Sequence, residues 1–157
     1  MNLVKGSFPA RYGSRLSSVV DVRMKDGNMK TRQGNATIGM ITSKVSIEGP
    51  IKVDTSSYVL SVRRFMYDIL MVPFTKIIQK GASLGYTFYD INGKFNHIFS
   101  ESDRIYFSVY NGRDKVQARM KNRKAAGKFN NSYDWGNLAT SMRWNHVYGP
   151  RLFSNVT

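Results

Sequence analysis

Between Tyr89 and Ser100 nearly every second residue belongs to the same chemical class. Tyr89, Ile91, Phe95, His97 and Phe99 fall on one side of an extended chain, with Gly93 among them. Asp90, Asn92, Lys94, Asn96 and Ser100 fall on the other, joined by Ile98. A period of two predicts a strand with two unlike faces. The polar face is mostly amide, which suits a wet interior as well as open solvent. Ser100-Glu101-Ser102-Asp103 supplies a tight polar turn. Beyond it Ile105, Phe107 and Val109 alternate with Arg104, Tyr106, Ser108 and Tyr110, which completes a hairpin.

The same plan recurs. Leu138, Met142, Trp144 and Tyr148, with Thr140 and His146, alternate with Asn137, Ala139, Ser141, Arg143 and Asn145. Tyr148-Gly149-Pro150-Arg151 makes the turn, and Leu152 to Val156 starts the return strand. Phe95-Asn96-His97-Ile98-Phe99 matches Trp144-Asn145-His146-Val147-Tyr148, and Arg104-Ile105-Tyr106-Phe107-Ser108 is like Arg151-Leu152-Phe153-Ser154. A repeating hairpin predicts a propeller, a solenoid or a meandering barrel. An earlier hairpin fits the series: Lys44-Val45-Ser46-Ile47-Glu48 leads to a turn expected at Gly49-Pro50. Tyr58, Leu60, Val62 and Met66 then alternate with Val59, Ser61, Arg63 and Phe65. Arg64 breaks the apolar face and marks its outer edge.

Connection lengths select among these architectures. Short turns are expected after Glu48, Ser100 and Tyr148, and long connections over residues 68–84 and 112–134. Alternating short and long links characterise transmembrane barrels, which have short turns on one side and longer loops on the other. Phe95, Phe99, Tyr106, Phe107, Trp144, Tyr148 and Phe153 cluster near the short turns, as in an aromatic girdle at a bilayer boundary. An apolar fraction of 41% suits strands with a single apolar face. No apolar run approaches the length of a membrane helix, whereas a membrane strand needs only about 9–11 residues.

The formal net charge of +14 is unevenly placed. Residues 1–32 carry +5, residues 113–128 carry +6, and the rest of the chain only +3. Residues 113–128, with Arg113, Lys115, Arg119, Lys121, Arg123, Lys124 and Lys128, are therefore expected to form an external basic loop. It is either simply solvated or in contact with lipopolysaccharide phosphates or an anionic substrate. A β-sheet protein that binds single-stranded nucleic acid is the rival reading, but such a site needs cations and stacking aromatics on one face. Here the aromatics occupy strands and most surplus charge lies elsewhere.

Little points to catalysis, and no catalytic, cofactor-binding or metal site is expected. There is no cysteine. The two histidines, His97 and His146, sit at equivalent repeat positions and read as interfacial side chains. Gly34-Asn35-Ala36-Thr37-Ile38-Gly39 lacks the glycine pattern and lysine of a phosphate loop. Asp and Glu are scattered at turns, with no paired-carboxylate pattern. Met1-Asn2-Leu3-Val4-Lys5-Gly6 shows neither the apolar stretch nor the cleavage site of a secretory signal.

The leading segment differs from the hairpins. Phe8-Pro9-Ala10-Arg11-Tyr12-Gly13-Ser14-Arg15-Leu16-Ser17-Ser18 is a Gly/Ser-rich turn region. Val19 to Met24 follows as a strand, and Lys25-Asp26-Gly27-Asn28 closes it. This stretch through Val22 resembles the C-terminal end of the plug domain in TonB-dependent outer-membrane receptors. There a Pro-Ala/Glu-x-Tyr-Gly stretch leads to a strand closed by a Lys-x-Gly turn, the place that Met24-Lys25-Asp26-Gly27 occupies here. Arg-Leu-Ser-Ser is similar to the subgroup that often begins with a carboxypeptidase-regulatory-like domain. Glu48-Gly49-Pro50-Ile51 is similar to the family's Gly-Pro turn, and Arg63-Arg64 falls where the next strand often carries arginine.

The resemblance implies an all-β fold: a partial antiparallel transmembrane β-barrel, a meander of hairpins, preceded by the last strand of a plug domain. Residues 1–28 would end the plug and residues 29–157 would begin the barrel, with residues 29–33 as the linker. A signal peptide and further plug before Met1, and many more hairpins after Thr157, are expected. The implied function is a share in active uptake of a substrate across the outer membrane of a Gram-negative bacterium. The implied partners are a TonB-type periplasmic energy-coupling protein, outer-membrane lipid and lipopolysaccharide, and a transported substrate, with no nucleic acid. The candidate lumen-facing residues are Ser61, Arg63, Asn92, Lys94, Asn96, Asn137, Ser141, Arg143 and Asn145.

Overall fold

The computed structural model describes residues 2–5, 18–21, 24–66, 69, 73, 77, 82–121 and 128–157. Among these residues there are nine strands: β1 (Asn2–Lys5), β2 (Ser18–Asp21), β3 (Gln33–Ile38), β4 (Thr42–Lys52), β5 (Ser56–Phe65), β6 (Ala82–Ile98), β7 (Asp103–Lys121), β8 (Lys128–Gly149) and β9 (Leu152–Val156). β1 and β2 form an antiparallel pair of their own. β3 to β9 form one antiparallel sheet in sequence order, each strand pairing with the next. The fold is thus an all-β meander, as the alternation predicts, with β3 and β9 as its edges.

Register sorts every side chain onto one of two faces, because residues directly opposite in an antiparallel pair point the same way. Val45, Val62, Ile91, Asn111 and Leu138 form one cross-strand row. Rows of Ile47, Leu60, Gly93, Val109 and Thr140, then of Tyr58, Phe95, Phe107 and Met142, lie nearer the short turns. Among the described residues this apolar face stands largely exposed: Val45 is 55% exposed, Leu138 69% and Met142 58%. On the opposite face burial is reversed. Among the described residues its buried polar and charged side chains are Ser57, Asp90 and Asn96, and the sole buried apolar one is Tyr106; buried Ser56 lies on the apolar face instead, opposite His97 at the turn end.

Two expected connections are corrected. Gly49 and Pro50 lie within β4, which runs on to Lys52 through a bulge. The turn is at residues 53–55, where Asp54 takes φ 55°, a left-handed conformation that Asp tolerates better than most residues. The expected long connection over 112–134 is mostly strand. β7 continues to Lys121 and β8 starts at Lys128, with Gly112 opposite Asn137 and Asp114 opposite Trp135. Arg113, Lys115 and Arg119 are therefore strand residues, and residues 122–127, with Arg123 and Lys124, lie outside the described set.

The physical reason is that the alternation does not stop there but exchanges its faces. Beyond the row of Arg64, Tyr89, Arg113 and Gly136, the formerly apolar face carries Thr87, Lys115, Gln117, Arg119, Ser132 and Asp134. The formerly polar face there carries Tyr86, Phe88, Val116, Tyr133 and Trp135. Arg64 lies on that dividing row, at the edge of the apolar band, where its break in the pattern places it. β3 was not anticipated, since Gln33 to Ile38 offers only a weak alternation. The expected Pro-Ala-Arg-Tyr-Gly stretch lies outside the described residues.

Candidate functional site

All nine candidate lumen-facing residues share the polar face of the large sheet. Ser61 lies opposite Asn92, Arg63 opposite Asp90, and Ser57 opposite Asn96. Across β7 these rows lead to Ala139, Asn137 and Arg143 on β8, while Ser141 ends the row of Lys94 and Ser108, and Asn145 the row of Ile98 and Arg104. Asn137 and Ser141 stand exposed on this face, whereas Arg143 and Asn145 are partly covered.

A strap of non-strand chain, residues 24–29, lies across this face. Lys94 Nζ donates to the carbonyl of Met24 at 2.9 Å and pairs with Asp26 at 2.6 Å. Lys25 pairs with Glu48 at 2.6 Å. Ser57 Oγ lies 2.8 Å from the carbonyl of Gly27, and the amide of Asp54 donates to the carbonyl of Met29. A Cβ on residue 27 would collide with the main chain of Tyr58, so glycine is what lets the strap approach β5. Between strap and sheet is a recess of about 300 Å³ bordered by Lys44, Glu48, Ser61 and Asn92.

Beneath the strap, polar groups satisfy one another. Asn96 Oδ1 accepts from the amide of Ser57 at 3.0 Å and lies 2.5 Å from its hydroxyl. Asp90 takes both Nε and Nη2 of Arg63, at 2.7 and 2.5 Å, and a hydrogen bond from Asn92. The Arg63 guanidinium lies 5.2 Å from the Phe88 ring, which stacks on Phe65. Tyr106 is a second hub: Lys94, Arg104 and Arg143 all approach its ring, Arg143 most closely at 4.3 Å. Sequence reading left Ser57, Asp90, Arg104, Tyr106 and Asp26 out of the candidate set. Asp90, Arg104 and Tyr106 sit in the alternation already recognised, so its phase alone places them, whereas Ser57 joins β5 ahead of the expected alternation and the reach of Asp26 to Lys94 is a long-range contact.

The repeat seen in the sequence is also repeated in space. His97 lies between Phe95, on which it stacks, and Phe99, and His146 lies between a tilted Trp144 and Tyr148, each histidine with a near-perpendicular contact on the turn side. His146 differs in having a carboxylate partner. Asp103 lies 2.6 Å from its Nδ1 and accepts from Trp144 Nε1 at 3.1 Å. These bonds, led by the one with His146, hold the Asp103 carboxyl below the usual carboxylate range. At the other end of the sheet Arg113 grips Asp134 through two bonds of 2.7 and 2.9 Å. That pairing, first through its hydrogen bonds, likewise lowers the Asp134 carboxyl.

No group of three metal-binding side chains occurs among the described residues. Chemically, this face can hold a polar filling through ion pairs and amide contacts. Compared with known protein families, curated proteins and solved structures, the chain matches none.

Proposed function

We propose that this chain is a wall segment of an outer-membrane β-barrel of the TonB-dependent receptor kind, with the end of a plug lying against the inner side of the wall. In a complete receptor it would share in active uptake of a substrate into the periplasm, driven through a TonB-type coupling protein. The observation that carries this reading is the reversal of burial: the sheet buries Ser57, Asp90 and Asn96 and exposes Leu60, Val62, Leu138 and Met142. A water-soluble sheet would cover its apolar face, because covering it is what stabilises such a fold. A barrel wall has lipid there and polar contents on the other side.

Three further features support it. The apolar band runs from the row of His97 and Trp144 to the row of Tyr89 and Gly136, close to the roughly 9–11 residues that a membrane strand needs. Beyond the band the faces exchange character, as walls do when they emerge from lipid into water. The strap bears the Lys-x-Gly turn of the resemblance and lies on the polar face. The candidate lumen residues then face the plug, and the cations beyond the band face outer-leaflet lipopolysaccharide.

A second reading, a soluble sheet that binds single-stranded nucleic acid, draws on the cations and aromatics that do share the polar face. Its weakness is that Tyr106 is only 8% exposed beneath its cations, and a base-stacking platform needs a free ring face.

Two single-tryptophan chains separate the readings. Refolded with phosphatidylcholine vesicles brominated near the headgroup, W135F keeps Trp144 on the band and should be strongly quenched. W144F keeps Trp135 beyond the band, on the other face, and should be quenched little. A chain that stays folded in the aqueous phase, with both indoles unquenched and a salt-sensitive shift of single-stranded DNA, would overturn the proposal.

A further inference from the structure

The cations of the polar face are not equally provided for. Arg63 has Asp90, Lys94 has Asp26, and Lys25 has Glu48. Arg104 and Arg143 have no carboxylate among the described residues. Both instead lie against Tyr106: Arg104 donates to its hydroxyl at 3.3 Å, and Arg143 lies over its ring. Nε of Arg143 is buried and without a hydrogen-bond partner, and so is Oδ1 of Asn145, which stands opposite Arg104.

We propose that Arg104 and Arg143, both held against Tyr106, form a binding site for an oxyanion, a carboxylate or a phosphate, carried by a small soluble ligand. This goes beyond the barrel reading and stands whichever medium meets the apolar face. Two guanidinium groups gathered on one buried ring repel each other, and an anion between them removes that repulsion. The close approach of Arg143 to the tyrosine ring leaves its N–H edge for a planar or tetrahedral oxyanion, and Arg104 spends one N–H on the Tyr106 hydroxyl and keeps the others. A buried donor such as Arg143 Nε is costly to leave unpaired, so it favours a ligand that accepts from it. Surrounding Ser108, Ser141 and Asn145 add neutral hydrogen-bonding groups, and Asp26, the carboxylate that reaches this hub, is engaged by Lys94.

The test is calorimetric titration of the full chain, in neutral detergent, with citrate as the carboxylate probe and inorganic phosphate as the other. Binding of either supports the site, and the tighter of the two identifies the group it takes. R104Q/R143Q should weaken binding about tenfold or more, and K52Q/R151Q, which removes the same charge at an exposed strand end and an exposed turn, should change it less than about twofold. R104K/R143K keeps the charge but loses the fork and should weaken binding about threefold or more. That variant carries the test where the Gln pair loses its strand signal in circular dichroism. No binding of either probe by the unsubstituted chain overturns the proposal. So does an equal loss in K52Q/R151Q, which makes the effect one of net charge, or unchanged binding in R104K/R143K.

Discussion

Placing an arginine at successive depths along β8 measures what medium the apolar face meets. From Trp144 to Gly136 the strand makes eight residue steps on a path that the register fixes. In a barrel wall tilted by about 40°, at about 3.4 Å per residue, these steps would cross about 20 Å of bilayer and put Thr140 about 10 Å from either boundary and Leu138 about 5 Å from the nearer one. An outward-facing arginine costs about 2–4 kcal/mol at the bilayer midplane and about 0–1 kcal/mol near its edges. T140R should therefore destabilise the vesicle-folded chain by about 2–4 kcal/mol, L138R by about half as much, and S132R, beyond the band, by less than about 0.5 kcal/mol. Thr140, Leu138 and Ser132 are all exposed in the chain by itself, so in water all three changes should stay within about 0.5 kcal/mol. Urea titration of the chain in phosphatidylcholine vesicles, followed by tryptophan emission, reads the profile. Three equal and small losses would show that the face does not meet lipid and would remove the support for the barrel.

Three other outcomes are expected. Lys94→Met removes the ion pair to Asp26 and the bond to the Met24 carbonyl. With Asp26 about half exposed, the loss should be about 1–2 kcal/mol, read as roughly tenfold faster tryptic cleavage at Lys25, and an unchanged rate would detach the strap from Lys94. Because the folded Asp103 carboxyl lies below its ordinary 3.8, its contribution is complete above about pH 4 and is lost as pH falls through the lowered value. Near-ultraviolet dichroism of Trp144 should show that acid loss, and D103N should abolish it; identical acid profiles would exclude Asp103 as its source. Replacing Lys121, Arg123 and Lys124 by Gln in a complete receptor should weaken binding to lipopolysaccharide-bearing vesicles more at low salt than at high salt, and an equal effect at both would exclude a role for these charges.

The all-β meander could be read from the sequence because strand alternation is local: Tyr89 to Ser100 needs no distant partner to show its period. The shared face of Ser61, Asn92, Asn96 and Arg143 followed from the same local phase once strands pair in order. Two connections were misread because a change of phase resembles an end of pattern. At Arg113 the charges move to the face that is apolar nearer the short turns while the chain stays extended, so a run of cations suggests a loop where two strands continue to pair. Gly49-Pro50 likewise carries turn residues, yet a bulge accommodates them within β4 and Asp54 makes the turn.

By itself, then, the sequence determined which residues are extended, which of them share a face, and where the hairpin repeats. It did so because side-chain direction in a strand depends only on counting by two. Only the tertiary structure decided that the polar face is the covered one, that the strap of residues 24–29 lies over it, and that Asp26 reaches Lys94 while Arg104 and Arg143 gather on Tyr106. Those facts depend on contacts between residues far apart in the chain, and no local pattern says which of two faces will be buried.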